Sequence, residues 1–566
     1  MDGAKKVTDE KIRTKDNIVA YETILKERVF EEFGEIDTFT QQFEALTTNY
    51  ERVTYMYDYM VRYDLLKGRY WKDLKNDEVA RRHKKKGDNN FARGDFPSAL
   101  KHYTRCIMKA ESGVLRGLAY ANRSAALFKL SLYRECLEDI KRAVGNNYPG
   151  SLRPSLLYRR ERATQMLGRT RTPKYHERTP TLPRGARNRN TPHAHCIKQI
   201  HVELDENSRR RVLVNNITPA GKLISVETSM VNVVSGKSDL YHCHQCLNIC
   251  YNPTPCLTCT QVVYCGQNCA LDAWYDYHQY ECAILSPLKR WVGYCKSLLV
   301  GVKMIFLAKL EQFRNDFDRY LNPIENIVKK DVPKDNMFLA LAASVIYYFI
   351  RDFTKFFPEE SKRDPNFDNQ FKDDLFKYLH MAYVFSAEIT EAKQVFGVAP
   401  LRPFQDVYIE KESFGLGIYP FFMHFRHACC PNVVIHHYGS TMVLRTTRKC
   451  LKGEELFVSY GPHYYYHDQR DRRNFIWRMF YYECTCLVCD RNVPIMAILE
   501  ECVTEERYKA ITAKATKCFV DKIVNTKDAL VDLVDAIDTE YNVEKYLYTL
   551  ALWYYYDLLG NRRRVP

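Results

Sequence analysis

The order of apolar and polar positions divides the chain into helical and extended stretches. No proline occurs before residue 80, and apolar residues return at helical intervals through Ile18, Tyr21, Ile24, Leu25, Val29 and Phe30, which predicts a helical lead-in over residues 1–80. Helical intervals resume from Lys84 to Tyr103 and from Tyr120 to Asp139, with a further fragment from Leu156 to Gly168. Arg211–Glu227 holds two apolar runs around a Pro-Ala-Gly turn and predicts a β-hairpin. Residues 283–400 carry helical stripes through Leu298, Val302, Ile305 and Phe306, and again from Phe338 to Phe349. Val443–Lys449 and Glu455–Tyr460 are short β-branched and aromatic runs bounded by Gly439, Gly453 and Gly461, so they predict strands, with a turn at Lys452-Gly453. Helical periodicity returns over 495–557 and the chain ends in Arg562-Arg-Arg564.

Composition changes this picture in three places. At 566 residues the chain accommodates several domains. Between Arg169 and Asn190 the sequence turns to Arg, Thr, Pro and Gly, which predicts a basic linker or loop. It lacks interleaved aromatics, so nucleic acid is not expected as a direct specific ligand. The excess of 84 Lys and Arg over 69 Asp and Glu is diffuse, favouring acidic partners only weakly. The longest apolar run, Phe338 to Ile350, holds a Ser and two Tyr and predicts a buried helix, so no membrane association is expected. The start, Met1-Asp-Gly-Ala-Lys-Lys, has no apolar signal core, and 20 Cys in a reducing compartment point to metal binding. A cytoplasmic and nuclear protein, acting as a monomer, is the expectation.

The densest metal pattern is Cys243-x2-Cys246-x9-Cys256-x2-Cys259-x5-Cys265-x3-Cys269-x8-His278-x3-Cys282, eight ligands for two tetrahedral zinc ions. Four-residue separations on a helix would put Cys265 with Cys269, and His278 with Cys282, on one face. With Tyr264 and Trp274, this spacing resembles a MYND finger. The resemblance implies interleaved sites, Cys243, Cys246, Cys265 and Cys269 on one zinc and Cys256, Cys259, His278 and Cys282 on the other, with Cys250 spare. Both sites are saturated and read as structural.

The stretch from Lys84 to Tyr103, with Gly87, Gly94, Phe96, Ala99 and Tyr103 at helix contacts, resembles a tetratricopeptide repeat. Lys84, Asn122 and Arg159 match positions that clamp a partner's terminal carboxylate in some such repeats. Asp88 and Ser155 do not, and a carboxylate facing Asp88 would be repelled, so a plain helical scaffold is expected.

Three motifs dominate the C-terminal half: Met423-His-Phe-Arg-His-Ala-Cys-Cys-Pro-Asn432, Lys452-Gly-Glu-Glu-Leu-Phe-Val-Ser-Tyr-Gly461 and Cys484-Thr-Cys-Leu-Val-Cys489. The last supplies three thiolates for a zinc that needs four, and Cys429 or Cys430 is the nearest fourth. Together the motifs resemble the catalytic half of a SET domain, and the order along the chain resembles the SET-and-MYND protein-lysine methyltransferases, in particular those with N-terminal tetratricopeptide repeats. The resemblance implies that Cys429 closes the third zinc site. It implies an α+β multidomain fold: a helical N-terminal region with repeats, a split SET β-fold with an inserted MYND zinc finger and helical insert, and a short helical C-terminal domain. The corresponding segments are 1–80, repeats at 81–168, linker 169–200, first SET part 201–242, finger 243–282, insert 283–400, SET core 401–465, post-SET zinc region 466–492 and helical tail 493–566.

By the same resemblance the activity is S-adenosylmethionine-dependent methylation of a lysine on a histone or other protein. Tyr460 is the catalytic residue, Tyr460 and Phe480 line the lysine channel, and Arg210, Arg211, Arg426, His427, Tyr460 and Tyr482 surround the methyl donor. Three departures stand out. Arg426 replaces an Asn that binds the donor's amino-acid moiety, and would set a guanidinium against its cationic groups or pair with its carboxylate. Phe480 replaces a hydroxyl found in many relatives. The Arg209–Val212 segment, read as a turn, lacks the glycines that allow close backbone approach. The alternative is an adaptor with an impaired SET domain that binds protein partners through the finger and repeats, in transcription regulation.

Overall fold

The computed structural model describes residues 36–66, 73–169, 194–206, 210–235, 240–293, 295–321, 336–358, 364–394, 409–464, 467–480, 482–491 and 526–537, with a few positions elsewhere. Apart from Glu27, the predicted helix through Ile18–Phe30 lies outside the described residues, as do linker residues 170–193, while the linker's predicted end holds a strand at Ala194–Cys196. The chain divides into two compact units: Met1–Tyr175, Val231–Asp316 and Pro333–Ser386 form one, and His176–Met230, Phe317–Val332 and Ala387–Pro566 the other.

Helices α1 (Ile36–Glu44), α2 (Asn49–Arg62), α3 (Asp77–Ala92), α4 (Phe96–Lys109), α5 (Gly113–Lys129), α6 (Tyr133–Gly145) and α7 (Arg153–Arg169) open the first unit. Their starts are chemically marked. Thr48 and Glu51 form a reciprocal capping box on α2, and Asn76, Asp95 and Ser112 each accept a first-turn amide of α3, α4 and α5. From α3 to α7 each helix packs on the next. Gly87 permits a close approach, since a Cβ there would lie 2.6 Å from the buried Tyr103 ring. The Asp88 carboxylate accepts from Lys84 Nζ at 2.8 Å, Asn122 Nδ2 at 2.8 Å and Tyr103 Oη at 3.0 Å. Two of the three side chains that match a carboxylate clamp are thus engaged by the chain's own carboxylate, and Arg159 is turned to Ala121 O and Ser124 Oγ.

The same unit continues with α8 (Gln267–Ala273), α9 (Gln279–Val292), α10 (Ser297–Leu307), α11 (Asn336–Phe353) and α12 (Pro365–Phe385). Helix α10 is buried at every position from Leu298 to Phe306 and packs on α12, while α11 and α12 both lie on α2. The segment predicted to be helical to residue 400 instead turns extended after Phe385.

In the second unit, β1 (Ala194–Cys196), β2 (Ile200–Leu204), β3 (Arg210–Val214) and β4 (Leu223–Thr228) precede β5 (Ala387–Gln394), β6 (Ile409–Ile418), β7 (Arg426–His427), β8 (Val433–Tyr438), β9 (Thr441–Thr446), β10 (Phe457–Val458) and β11 (Arg562–Arg563). One sheet runs β1-β4-β9-β8, all antiparallel; β5 pairs antiparallel with β6 and parallel with β11.

The predicted hairpin over Arg211–Glu227 does not form. β3 pairs with β2, Ile200 opposite Val214 and Leu204 opposite Arg210, whereas β4 lies between β1 and β9. Both runs are apolar enough to be buried, and apolarity alone does not choose a strand's partner. Arg210–Val212, read as a turn, is therefore strand; Arg209 lies outside the described residues. The two C-terminal strands are also shorter or shifted: Val443–Lys449 corresponds to β9, which stops at Thr446, and Glu455–Tyr460 keeps only β10. The turn at Lys452-Gly453 forms, with Gly453 at φ +81°.

Candidate functional site

The chain from β7 through β10 threads three elements past one another. β7 and β10 pair in parallel, Arg426 opposite Phe457 and His427 opposite Val458. Asn432 fastens this pairing from the far side of the loop: its Oδ1 accepts from Phe457 N at 2.7 Å and its Nδ2 donates to Glu455 O at 2.8 Å. β3 is stitched to the same stretch, through Val214 N to Glu454 O at 3.0 Å and Leu456 N to Val212 O at 2.8 Å. Motifs far apart in sequence are thereby placed within a few ångströms.

Tyr460 stands at their junction. Its hydroxyl donates to Phe425 O at 2.6 Å and its amide to His427 Nδ1 at 3.1 Å. The ring lies 5.4 Å from that of His427 and 4.9 Å from that of Phe480, centroid to centroid, and Tyr482 packs against the same buried cluster. Burial pushes the Tyr460 phenol up, so it stays protonated at neutral pH. Burial also holds His427 down to about 4, neutral and able to accept.

Arg426 is not loose in this site. Glu455 takes its Nε at 2.5 Å and also its Nη2, and Asp205 takes Nη1 at 2.9 Å. Two carboxylates grip the planar guanidinium from both edges, a geometry that fixes it in place. The idea that Arg426 would pair with a donor carboxylate loses its basis, because those edges are occupied. Neither Asp205 nor Glu455 was singled out from sequence; Glu455 lay inside a recognised motif, while Asp205 carries no local signal. Arg210 and Arg211 point to opposite faces of β3, as alternation requires. Arg211 pairs with Glu203. Arg210 instead faces the ring of His424, at 3.3 Å from Nδ1, and contacts no carboxylate among the described residues. Burial, then the Arg210 charge, holds His424 at about 3.

The twelve metal-ligating candidates fall into three groups of four: Cys243, Cys246, Cys265 and Cys269; Cys256, Cys259, His278 and Cys282; and Cys429, Cys484, Cys486 and Cys489. Within each, the ligand atoms lie within 4.8 Å of one another. Sulfur pairs are separated by 3.8 Å for Cys246 and Cys265, 3.5 Å for Cys265 and Cys269, and 3.8 Å for Cys429 and Cys484. A tetrahedral ion with metal–sulfur bonds of ~2.3 Å has edges of about 3.8 Å, and a disulfide would need ~2.05 Å, so the sulfurs fit zinc and not a disulfide. Cys265 lies just before α8 rather than on it, and reaches Cys269 because Gly266 is extended. Cys250 is buried outside the groups.

Supporting residues complete these groups. His278 turns Nε2 to Cys259 Sγ at 3.6 Å and Nδ1 to Glu281 Oε2 at 2.9 Å. Arg472, on α13 (Gln469–Phe480), is fully buried, and its Nη2 lies 3.6 Å from Cys489 Sγ. Sequence reasoning missed both. The only signal for Glu281 is its place three residues after His278, one helical turn away, and Arg472 had none.

The SET domain family matches residues 249–461. The chain is similar to a protein named protein-lysine N-methyltransferase SMYD4 from Danio rerio, 23% identical over 78% of this chain and 69% of the relative. These similarities point to the SET-and-MYND proteins. The human protein of the same name is 20% identical over 73% of this chain and 67% of its own length, and N-lysine methyltransferase SMYD2-B of Xenopus laevis is 24% identical over 46% and 53%.

No helix among the described residues is long and apolar enough to cross a membrane.

Proposed function

We propose that this SET-and-MYND protein transfers a methyl group from S-adenosylmethionine to a lysine of a protein substrate. The observation that carries the reading is the Tyr460 junction: a buried phenol anchored on a backbone carbonyl, walled by His427 and Phe480, beside an arginine whose charge is countered by two carboxylates.

The reaction needs a neutral amine aligned with an electrophilic methyl, with no covalent enzyme intermediate. Bound S-adenosylmethionine would supply that methyl as a sulfonium. The Tyr460 hydroxyl donates its hydrogen bond to Phe425 O and keeps its proton, which leaves its oxygen as an acceptor toward the reacting groups. A phenol kept protonated by burial is not the base, so the lysine proton leaves to water. Arg210 supplies the positive charge for the donor's carboxylate, since its nearest partner is a neutral ring. Phe480 and Tyr482 provide apolar walls for the channel and the adenine. The three four-ligand groups hold structural zinc, with no open position for catalysis. The α3–α7 helices serve as a tetratricopeptide scaffold which, with the finger, presents protein partners.

Calorimetric titration with S-adenosylmethionine tests this reading on the zinc-loaded chain, beside Arg210→Ala and Arg426→Asn. The native chain binds, and Arg210→Ala weakens binding by about tenfold, the loss of one charge-assisted hydrogen bond. Absence of binding by both the native chain and Arg426→Asn would overturn the methyltransferase reading and leave the adaptor.

A further inference from the structure

The two metal groups of the finger share a buried link that zinc coordination alone does not require. Glu281 Oε2 accepts from His278 Nδ1 at 2.9 Å and stands 3.1 Å from His244 Nε2. All three side chains are buried, at 2% exposure for Glu281, 1% for His278 and 4% for His244. Their chain positions matter. His244 follows Cys243, a ligand of the first group, and Glu281 precedes Cys282, a ligand of the second. His244 is itself pinned: its amide donates to Val263 O at 2.8 Å and its carbonyl accepts from Tyr277 Oη at 3.3 Å. It therefore cannot swing away without disturbing the turn that carries Cys243.

We propose that Glu281 couples the two zinc sites of the finger, orienting His278 for one and anchoring through His244 the turn that ligates the other, so that both sites fill and empty as a unit. The inference rests on zinc occupying these groups and not on methyl transfer. A carboxylate behind a ligating histidine fixes the ring's tautomer and direction, and losing such a partner typically weakens metal binding by about 10–100-fold. Here one carboxylate oxygen serves two histidines. Loss of the second zinc would free His278, release Glu281 and with it His244, and so loosen the first site.

The link is further embedded in charge. The seven thiolates of the two groups, with two Zn²⁺ and Glu281, leave a net charge of −7 + 4 − 1 = −4. Lys303 is buried close by, donating to Asn232 O at 2.9 Å, with its ammonium 3.9 Å from the Tyr277 ring centre. A neutral substitution at Glu281 therefore changes more than one hydrogen bond, and Gln is the variant that preserves shape.

The test is a chelator titration of the full zinc-loaded chain followed by a brief pulse of iodoacetamide and peptide mass spectrometry. Alkylation of Cys246 and Cys269 reports the first site, and of Cys259 and Cys282 the second. In the native chain the two sets become reactive at the same chelator concentration. In Glu281→Gln, Cys259 and Cys282 become reactive at about 10–100-fold lower chelator, ahead of the first set. His244→Phe separates the two curves, and His244→Gln, whose amide can reach Glu281, brings them together again. If the native curves are already separate, or if Glu281→Gln superimposes on native, the coupling is wrong. If Glu281→Gln does not fold, the two His244 variants decide the matter by themselves.

Discussion

At the scale of single residues, the chemistry turns on groups whose neighbours settle their charge. Arg426, an apparent obstacle to a cationic donor, is engaged on both edges by Glu455 and Asp205. Arg426→Asn should cost more than Glu455→Gln, because it strands two partly buried carboxylates, whereas Glu455→Gln leaves Arg426 paired with Asp205. The expected result is a lower melting temperature for Arg426→Asn than for Glu455→Gln, read by thermal unfolding. Tyr460→Phe keeps the ring and removes the hydroxyl anchored on Phe425 O. Donor binding should persist while methyl transfer to peptide lysines falls by about 100-fold or more, the scale seen when one oriented polar group is removed from a reaction centre. His424 gives a pH signature. The unfolded chain protonates this imidazole below about 6.5 but the folded chain only near 3, so the unfolded state binds more protons between these values. Its contribution to stability is complete above pH 6.5 and is lost as pH falls toward 3. His424→Phe should flatten the native chain's stability slope over that window in denaturant titrations.

Among the elements, contacts made by small residues and hidden counterions decide how well each is held. Gly87 lets α3 meet α4 at the Tyr103 ring, and a methyl there would lie 2.6 Å from a ring carbon. Gly87→Ala should destabilise the first unit by about 1–3 kcal/mol, the range for overpacking a tight contact, whatever it gains in helix propensity. α13 carries Arg472 into the third cysteine group, where it also donates to His467 O at 2.6 Å. A four-thiolate zinc carries two negative charges, so Arg472→Met should speed zinc release from Cys429, Cys484, Cys486 and Cys489 with the finger sites unaffected, again read by pulse alkylation. Most helices were legible because caps and periodicity are local. β3 and β4 were legible as strands and not as partners, since two adjacent apolar runs leave open whether they pair together or each with another strand.

For the molecule as a whole, metal sites and helices of the first unit are one structure. The Arg123 guanidinium, buried in a bidentate pair with Asp139, also donates to Pro253 O at 3.0 Å in the finger. Lys109 donates to Thr260 Oγ1 and Lys75 to Cys256 O, both at 3.1 Å. Chelation of the finger's zinc should therefore speed amide hydrogen exchange in α4, α5 and α6, although none of these helices holds a ligand; unchanged exchange would show that the contacts carry no coupling. Sequence spacing marked the ligand candidates, because paired cysteines in turns and on one helical stretch are local geometry, while their division into groups was implied by the family resemblance and Cys429 joins Cys484 and Cys489 only across 55 and 60 positions. Sequence also set the order of motifs, and the family resemblance pointed to Tyr460, whose hydroxyl and amide meet Phe425 O and His427 Nδ1 in the fold. Tertiary structure alone decided which charges meet: Asp205 reaches Arg426 across 221 positions and Arg210 reaches His424 across 214. Such pairings depend on which strands lie side by side, and a buried charge acquires its meaning only from the partner that folding brings to it.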